Sequence, residues 1–139
     1  MQGAFRYVHA DAAGEEHVVG YAFAGEFVGD YISMCVDAPS QVTIEAMCGA
    51  EALLVPGERL ETFYRTDAAC ERLGRRLAEH MLAEVYERLL ERYAASPQQR
   101  YEALLERCPD LLQMVSLREL ASYLGVRPET LSRIRGRIR

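Results

Sequence analysis

The sequence predicts an α+β chain: antiparallel strands first, then one long helix, then a closing pair of short helices. Three observations predict it. Residues 1–56 alternate short apolar runs with glycine-bearing polar breaks. From Thr66 the apolar spacing becomes helical, and no proline interrupts it before Pro97. The closing stretch, "SLRELASYLGVRPETLSRIRGRIR", carries helix start and stop signals twice in succession.

The strands come first. "FRYVH" and "HVVGYAF" flank the polar turn "DAAGEE", in which Gly14 can take positive φ, so residues 5–23 read as a hairpin. "AGEFVGD" is a second break. "SQVTIEAM" alternates, with Val42, Ile44 and Ala46 on one face and Thr43 and Glu45 on the other. "EALLV" reads as a last strand, ended by Pro56-Gly57. So short an all-β segment would bury little core alone, and another surface must cover it.

After Gly57 the period changes. "ERLETFYR" is a short helix, and Thr66 or Asp67 can cap the long one that follows. One apolar row runs through Cys70, Leu73, Leu77, Met81, Val85 and Leu89. A second runs through Ala78, Leu82, Tyr86, Leu90 and Tyr93. Together they make a stripe wider than a two-stranded coiled-coil seam. Such a helix could pack wholly within its own domain. The stripe is better explained if part of it meets the strands and part, centred on Leu73, Leu77, Met81, Val85 and Leu89, meets a second copy of the chain.

Ser96-Pro97 ends the long helix and opens another, "QQRYEALLERC", amphipathic through Tyr101, Leu104, Leu105 and Cys108 and stopped by Pro109. "DLLQMV" is a short helical turn. Ser116-Leu117-Arg118-Glu119 then forms a capping box, in which the Ser116 hydroxyl caps the helix and Glu119 reaches back. Leu117, Leu120, Ala121 and Leu124 form its apolar face. Gly125 suits the left-handed position after the helix, Val126 is the buried residue of the turn, and Pro128 fits the next first turn. Leu131, Ile134 and Ile138 face inward. Two short helices about a glycine turn follow the helix-turn-helix plan.

Charge separates this end from the rest. The net charge is −5, and the chain has no lysine. Residues 1–126 hold 11 arginines against 20 carboxylates, a net of −9, while residues 127–139 hold five arginines against Glu129 alone, a net of +4. Glu129, Thr130, Ser132 and Arg133 project from the second helix, where side chains of this motif meet base edges in a major groove. Arginine can donate twice to guanine, and glutamate can accept from cytosine. Arg135, Arg137 and Arg139 would add sequence-independent phosphate contacts, and Arg127 joins them as a DNA-binding candidate. A helical hairpin with a merely solvated charged face is the competing reading.

Other chemistry finds little support. Cys35, Cys48, Cys70 and Cys108 form no C-x-x-C pair and read as ordinary thiols. His9, His17 and His80 have no catalytic motif around them, and "GEFVG" is not a phosphate-binding loop. No apolar run approaches the roughly 18 residues of a membrane helix. The N-terminus does not read as a signal peptide. A non-enzymatic protein of the cytoplasm is expected, and the residues name no cofactor.

The stretch "SLRELASYLGVRPETLSRIRGRI", with its "ERCPDLLQMV" lead-in, resembles the DNA-binding end of the Crp/Fnr superfamily of bacterial transcription regulators. The Gly125 turn and "ETLSRI" carry the match most specifically. The order of strands, short helix, long helix and helix-turn-helix fits as well. The resemblance implies a partial antiparallel β-roll of the cyclic-nucleotide-binding, jelly-roll-like type with a short helix over residues 1–65. It implies a homodimer helix over 66–95 and a winged-helix-like DNA-binding domain over 96–139. Its implied partners are a palindromic double-stranded DNA operator, a second copy of the chain and RNA polymerase.

Two departures accompany it. "GAFRYVHADAAGEEHVVGYAFAGEFVGDY" resembles the middle of such a roll, so strands that relatives carry earlier are expected to be missing. The ligand cassette of cyclic-nucleotide-binding members maps to Gly29, Asp30 and Tyr31 at its start and Ser40, Gln41, Val42 and Thr43 at its end. Those residues are the ligand-pocket candidates. The family's cassette begins with Gly-Glu, here Gly29-Asp30, and ends with Arg-Ser or Arg-Thr, here Ser40-Gln41, so the arginine that pairs with a cyclic phosphate is absent and no nearby arginine replaces it. A response to cyclic AMP is therefore not expected. The alternative function is a dimeric protein-interaction or small-molecule sensor module without specific DNA binding.

Overall fold

The computed structural model describes residues 3–36 and 38–138. The chain divides into two compact units, one formed by Met1–Ala52 with Pro97–Arg139 and the other by Leu53–Ser96.

The first unit contains a three-stranded antiparallel sheet. Strands β1 (Phe5–Ala10), β2 (Glu16–Ala22) and β3 (Thr43–Ala46) lie in the order β2-β1-β3. The expected hairpin is present. Asp11 Oδ1 accepts the Ala13 and Glu15 amides at 2.9 Å each, and Gly14 follows at φ 81°. The register shifts between Tyr7 and Val8. A sheet of this size cannot bury a core by itself. Here the C-terminal helices cover it: α4 (Pro97–Arg107), α5 (Leu111–Met114), α6 (Leu117–Tyr123) and α7 (Pro128–Ile138). Tyr21 of β2, with Ala4 just before β1 and Phe23 just after β2, shares one buried cluster with Tyr101, Leu104, Leu111, Leu120, Ala121, Leu124, Leu131 and Ile134. Leu111, Leu120 and Leu131 are fully buried, and each such side chain contributes roughly 1.5–3 kcal/mol.

Two elements differ from expectation. "YISMCV" is not extended but forms helix α1 (Tyr31–Val36) inside the segment read as all-β. Its start is fixed locally: Asp30 accepts the Ser33 amide with Oδ1 and the Met34 amide with its carbonyl, and this local alternative outweighs weak β propensity. "EALLV" is not a strand; residues 51–56 have no regular structure, with Leu54 86% exposed. A strand exists by pairing, and no described strand pairs with residues 51–56.

The second unit holds α2 (Gly57–Tyr64) and α3 (Ala68–Ala94). Of the two candidate caps, Asp67 serves: its Oδ1 accepts the amides of Ala69 at 2.7 Å and Cys70 at 2.9 Å. Helix α2 packs on α3 where the Tyr64 ring lies over Gly74. The 27 residues of α3 span about 40 Å.

Candidate nucleic-acid interface

The turn between α6 and α7 is built by backbone bonding. The Ser116 hydroxyl accepts the Glu119 amide at 3.1 Å and starts α6. At the other end Gly125, at φ 67°, donates to the Ser122 carbonyl at 3.0 Å, and Val126 donates to that of Ala121 at 2.9 Å. This pair of bonds is a complete Schellman motif. Arg100 Nη2 donates to the Leu124 carbonyl at 2.7 Å and satisfies another acceptor at that helix end. Pro128 opens α7, and the Arg127 carbonyl accepts from Thr130 and Leu131.

Packing then sets which face of α7 is outward. Leu131 and Ile134 are buried against α6, whereas Ile138, expected to face inward, is 41% exposed because α6 does not extend that far. Val126 is half-buried rather than buried, though it still packs on the core. At about 100° per residue, Glu129 and Arg133 stand roughly opposite the inward face. Both are exposed, as are Arg127, Thr130, Ser132 and Arg137. Arg135 lies nearer the inward face and is half-buried. Arg139, assigned a phosphate role by the sequence, lies outside the described residues.

The sequence reading missed what holds α6 to the sheet. Glu119 does not reach back to close a capping box. Its Oε2 accepts from Arg6 Nη1 at 2.9 Å and its Oε1 accepts from the Tyr21 hydroxyl at 3.1 Å. Two long-range donors outcompete one local amide because a charged donor makes the stronger bond. Burial, with the nearby Glu119 charge, pushes the Tyr21 phenol far above its ordinary pKa, so it remains a donor at every working pH. The edge of the Tyr123 ring packs on Tyr21 at 4.8 Å. A second tie joins α4 to the strand end: Arg107 Nη2 donates to both Glu26 carboxylate oxygens at 2.8 and 3.0 Å, with its guanidinium 5.0 Å from the Phe23 ring centre. The i,i+3 spacing in "SLRE" disguised the role of Glu119, and nothing local marks Arg6.

The ligand-pocket candidates meet in part. The Ser40 hydroxyl lies 2.8 Å from Asp30 Oδ2 and 2.8 Å from the Val42 carbonyl. Its bond to Asp30 holds that carboxyl below the usual carboxylate range. Gly29 donates its amide to the Tyr7 hydroxyl at 3.2 Å, and His9 Nδ1 donates to the Gln41 carbonyl at 2.8 Å. Tyr31 and Thr43 are exposed at the starts of α1 and β3. The charged group of this cluster is the Asp30 carboxylate, and neither Ser40 nor Gln41 supplies a cation. Among the described residues no group of three or more metal-ligating side chains occurs, and the four cysteines are free thiols.

Along α3, Leu73, Val85 and Leu89 are exposed, Leu77 and Met81 are half-buried, and no residue is fully buried. Leu82, at 70%, and Tyr93, at 84%, are exposed in the second row. No helix among the described residues is long and apolar enough to cross a membrane.

No protein-family profile matches the chain. No curated protein matches it either. Solved structures do. FixK2 from Bradyrhizobium japonicum superposes over 99% of this chain with a TM-score of 0.70 at 18% identity. A protein from Eubacterium rectale, described as a transcriptional regulator of the crp/fnr family, superposes over 96% with a TM-score of 0.67 at 16% identity. One from Silicibacter pomeroyi DSS-3, described as a cAMP-binding regulatory protein, superposes over 99% with a TM-score of 0.68 at 27% identity. The chain spans 71%, 64% and 63% of those three chains.

Proposed function

We propose that this chain, which has the α+β fold of the Crp/Fnr regulators, is a transcription regulator that binds double-stranded DNA sequence-specifically. One observation carries the reading. The outward face of α7 presents Glu129, Thr130, Ser132 and Arg133 together, exposed, on a helix whose other face is locked by Leu131 and Ile134. In this proposal those four side chains read base edges, while Arg127, Arg135 and Arg137 hold phosphates.

The proposed organisation follows from the elements. Residues 1–65 form the sensing strands with a short helix, residues 66–95 the helix that pairs two copies, and residues 96–139 the reader. Two readers related by a twofold axis would meet half-sites of a palindromic operator about one helical turn apart. RNA polymerase is the partner through which such a regulator acts. The Asp30–Ser40 cluster supports a sensor that does not use a cyclic nucleotide. Neither Ser40 nor Gln41 supplies the cation with which a cyclic phosphate would pair.

Selection from random duplexes, followed by titration at several salt concentrations, tests the reading. A selected palindrome should bind at least about a thousandfold more tightly than scrambled duplex. Arg133→Ala should cost about 1–3 kcal/mol and relax one base position, whereas Arg137→Ala should weaken all duplexes about equally and flatten the salt slope. Equal, sequence-blind losses from both would overturn the assigned roles. No preference for any selected duplex would leave the alternative, a dimeric interaction or sensor module.

A further inference from the structure

We propose that Glu119 is the receiving end of a relay that couples the DNA-reading helices to the Asp30–Ser40 loop through Arg6 and Glu45. The relay takes its output from the regulator reading above; its internal coupling stands apart from that reading. Tyr21, Arg6 and Glu45 form one row across all three strands, for Arg6 pairs in register with Tyr21 on β2 and with Glu45 on β3. A single guanidinium is divided between two carboxylates. Its Nε donates to Glu45 at 2.8 Å and its Nη1 to Glu119 at 2.9 Å, while the Tyr21 hydroxyl donates to the other Glu119 oxygen. Glu119 is the least exposed ion of the three, at 18%, and depends most on its two donors.

Each end of this row is attached to a candidate functional element. Residues Ser40–Val42 lead directly into β3, and Ser40 is anchored to Asp30 and to the Val42 carbonyl. Glu45 therefore sits on a short edge strand whose entry is held by that loop. At the other end, α6 supplies Leu120, Ala121 and Leu124 to the cluster that also buries Leu131 and Ile134 of α7. The guanidinium is a rigid planar fork. A shift of Glu45 that turns Nε therefore turns Nη1 away from Glu119. The outward face of α7 is exposed while both bonds are made. The closed relay is thus the state that presents the reader, and releasing the loop weakens operator binding.

Hydrogen exchange on the full chain without DNA tests the coupling. Ser40→Ala should speed exchange of the α6 amides by about threefold or more in the native background and add nothing in Arg6→Gln, whose α6 amides already exchange fast. An unchanged α6 in Ser40→Ala, or an equal acceleration in both backgrounds, overturns the relay. Should Arg6→Gln lose its native circular dichroism, Glu119→Gln takes its place, because it keeps an acceptor for Tyr21 while weakening the bond to Arg6. A second arm uses duplexes bearing both half-sites or one. Ser40→Ala and Arg6→Gln should each weaken the single site by about fivefold or more, and the two-site duplex at least as much, because the relay acts within one chain. Unchanged binding of the single site in both variants, with native circular dichroism retained, would overturn the relay. If the native chain prefers no duplex, the regulator reading falls, and the exchange arm still judges the relay.

Discussion

At Gly125 the backbone conformation and the space around it can be separated. The residue sits at φ 67°, and a Cβ added there would meet no atom within 4 Å. A substitution is therefore opposed only by the left-handed backbone, which asparagine tolerates and a β-branched residue does not. Gly125→Asn should cost a few tenths of a kcal/mol, and Gly125→Val about 1–2 kcal/mol or more, read from urea midpoints at an unchanged slope. Equal costs for the two would mean that something other than φ decides. This glycine was legible in the sequence because its constraint is local: an apolar helix ends and a left-handed residue must follow. Glu119 was not legible for the opposite reason. Its partners Arg6 and Tyr21 lie 113 and 98 residues away. The capping-box pattern correctly placed Ser116 as the cap and wrongly assigned the carboxylate.

The helical hairpin of α2 and α3 makes an equally specific statement about an element. Gly74 lies within a long exposed helix, where replacement by alanine ordinarily stabilises by about 1 kcal/mol through propensity alone. Here an added Cβ would come within 2.7 Å of the Tyr64 ring. Gly74→Ala should therefore destabilise the α2–α3 pairing, seen as faster hydrogen exchange in α2. In a Tyr64→Ala background the same substitution should stabilise. A stabilising Gly74→Ala in the native background would show that the ring moves aside freely. The boundaries of α3 were readable because Asp67 and Ser96-Pro97 punctuate it and the apolar spacing between them is unbroken. The strands were readable where they alternate, as in "VTIEA". Helix α1 and the unstructured "EALLV" were not. Five or six apolar-rich residues can serve either state, and the choice rests on whether a partner strand is present.

For the whole molecule, the decisive fact is where the buried residues are. Among the described residues, all of the buried apolar side chains belong to Met1–Ala52 and Pro97–Arg139, and none to Leu53–Ser96. The pairing of the β segment with the C-terminal helices could not be read from periodicity, which says that a face is apolar but not what covers it. For α3 the same uncertainty is a prediction. A row repeating every four residues drifts about 40° per step around the helix, so Leu73 through Leu89 and the second row together leave a broad apolar side. Its exposed i,i+4 ion pairs, Arg75–Glu79 at 2.6 Å and Arg88–Glu84 at 3.2 Å, contribute at most about 0.5 kcal/mol each and cannot replace that burial. A second copy of the same helix is the simplest cover, since a twofold axis sets each apolar row against itself. The chain should then sediment as a dimer. Val85→Arg, which places a charge in the first row at a residue 61% exposed in the single chain, should convert it to monomers. Because Val85 contributes nothing to the core of the reader, the exchange protection of α6 and α7 should survive. Binding to a single half-site should survive with it, while the added affinity of a two-half-site operator is lost. A native chain that sediments as a monomer, or a Val85→Arg chain that remains dimeric, would place the pairing surface elsewhere than on α3.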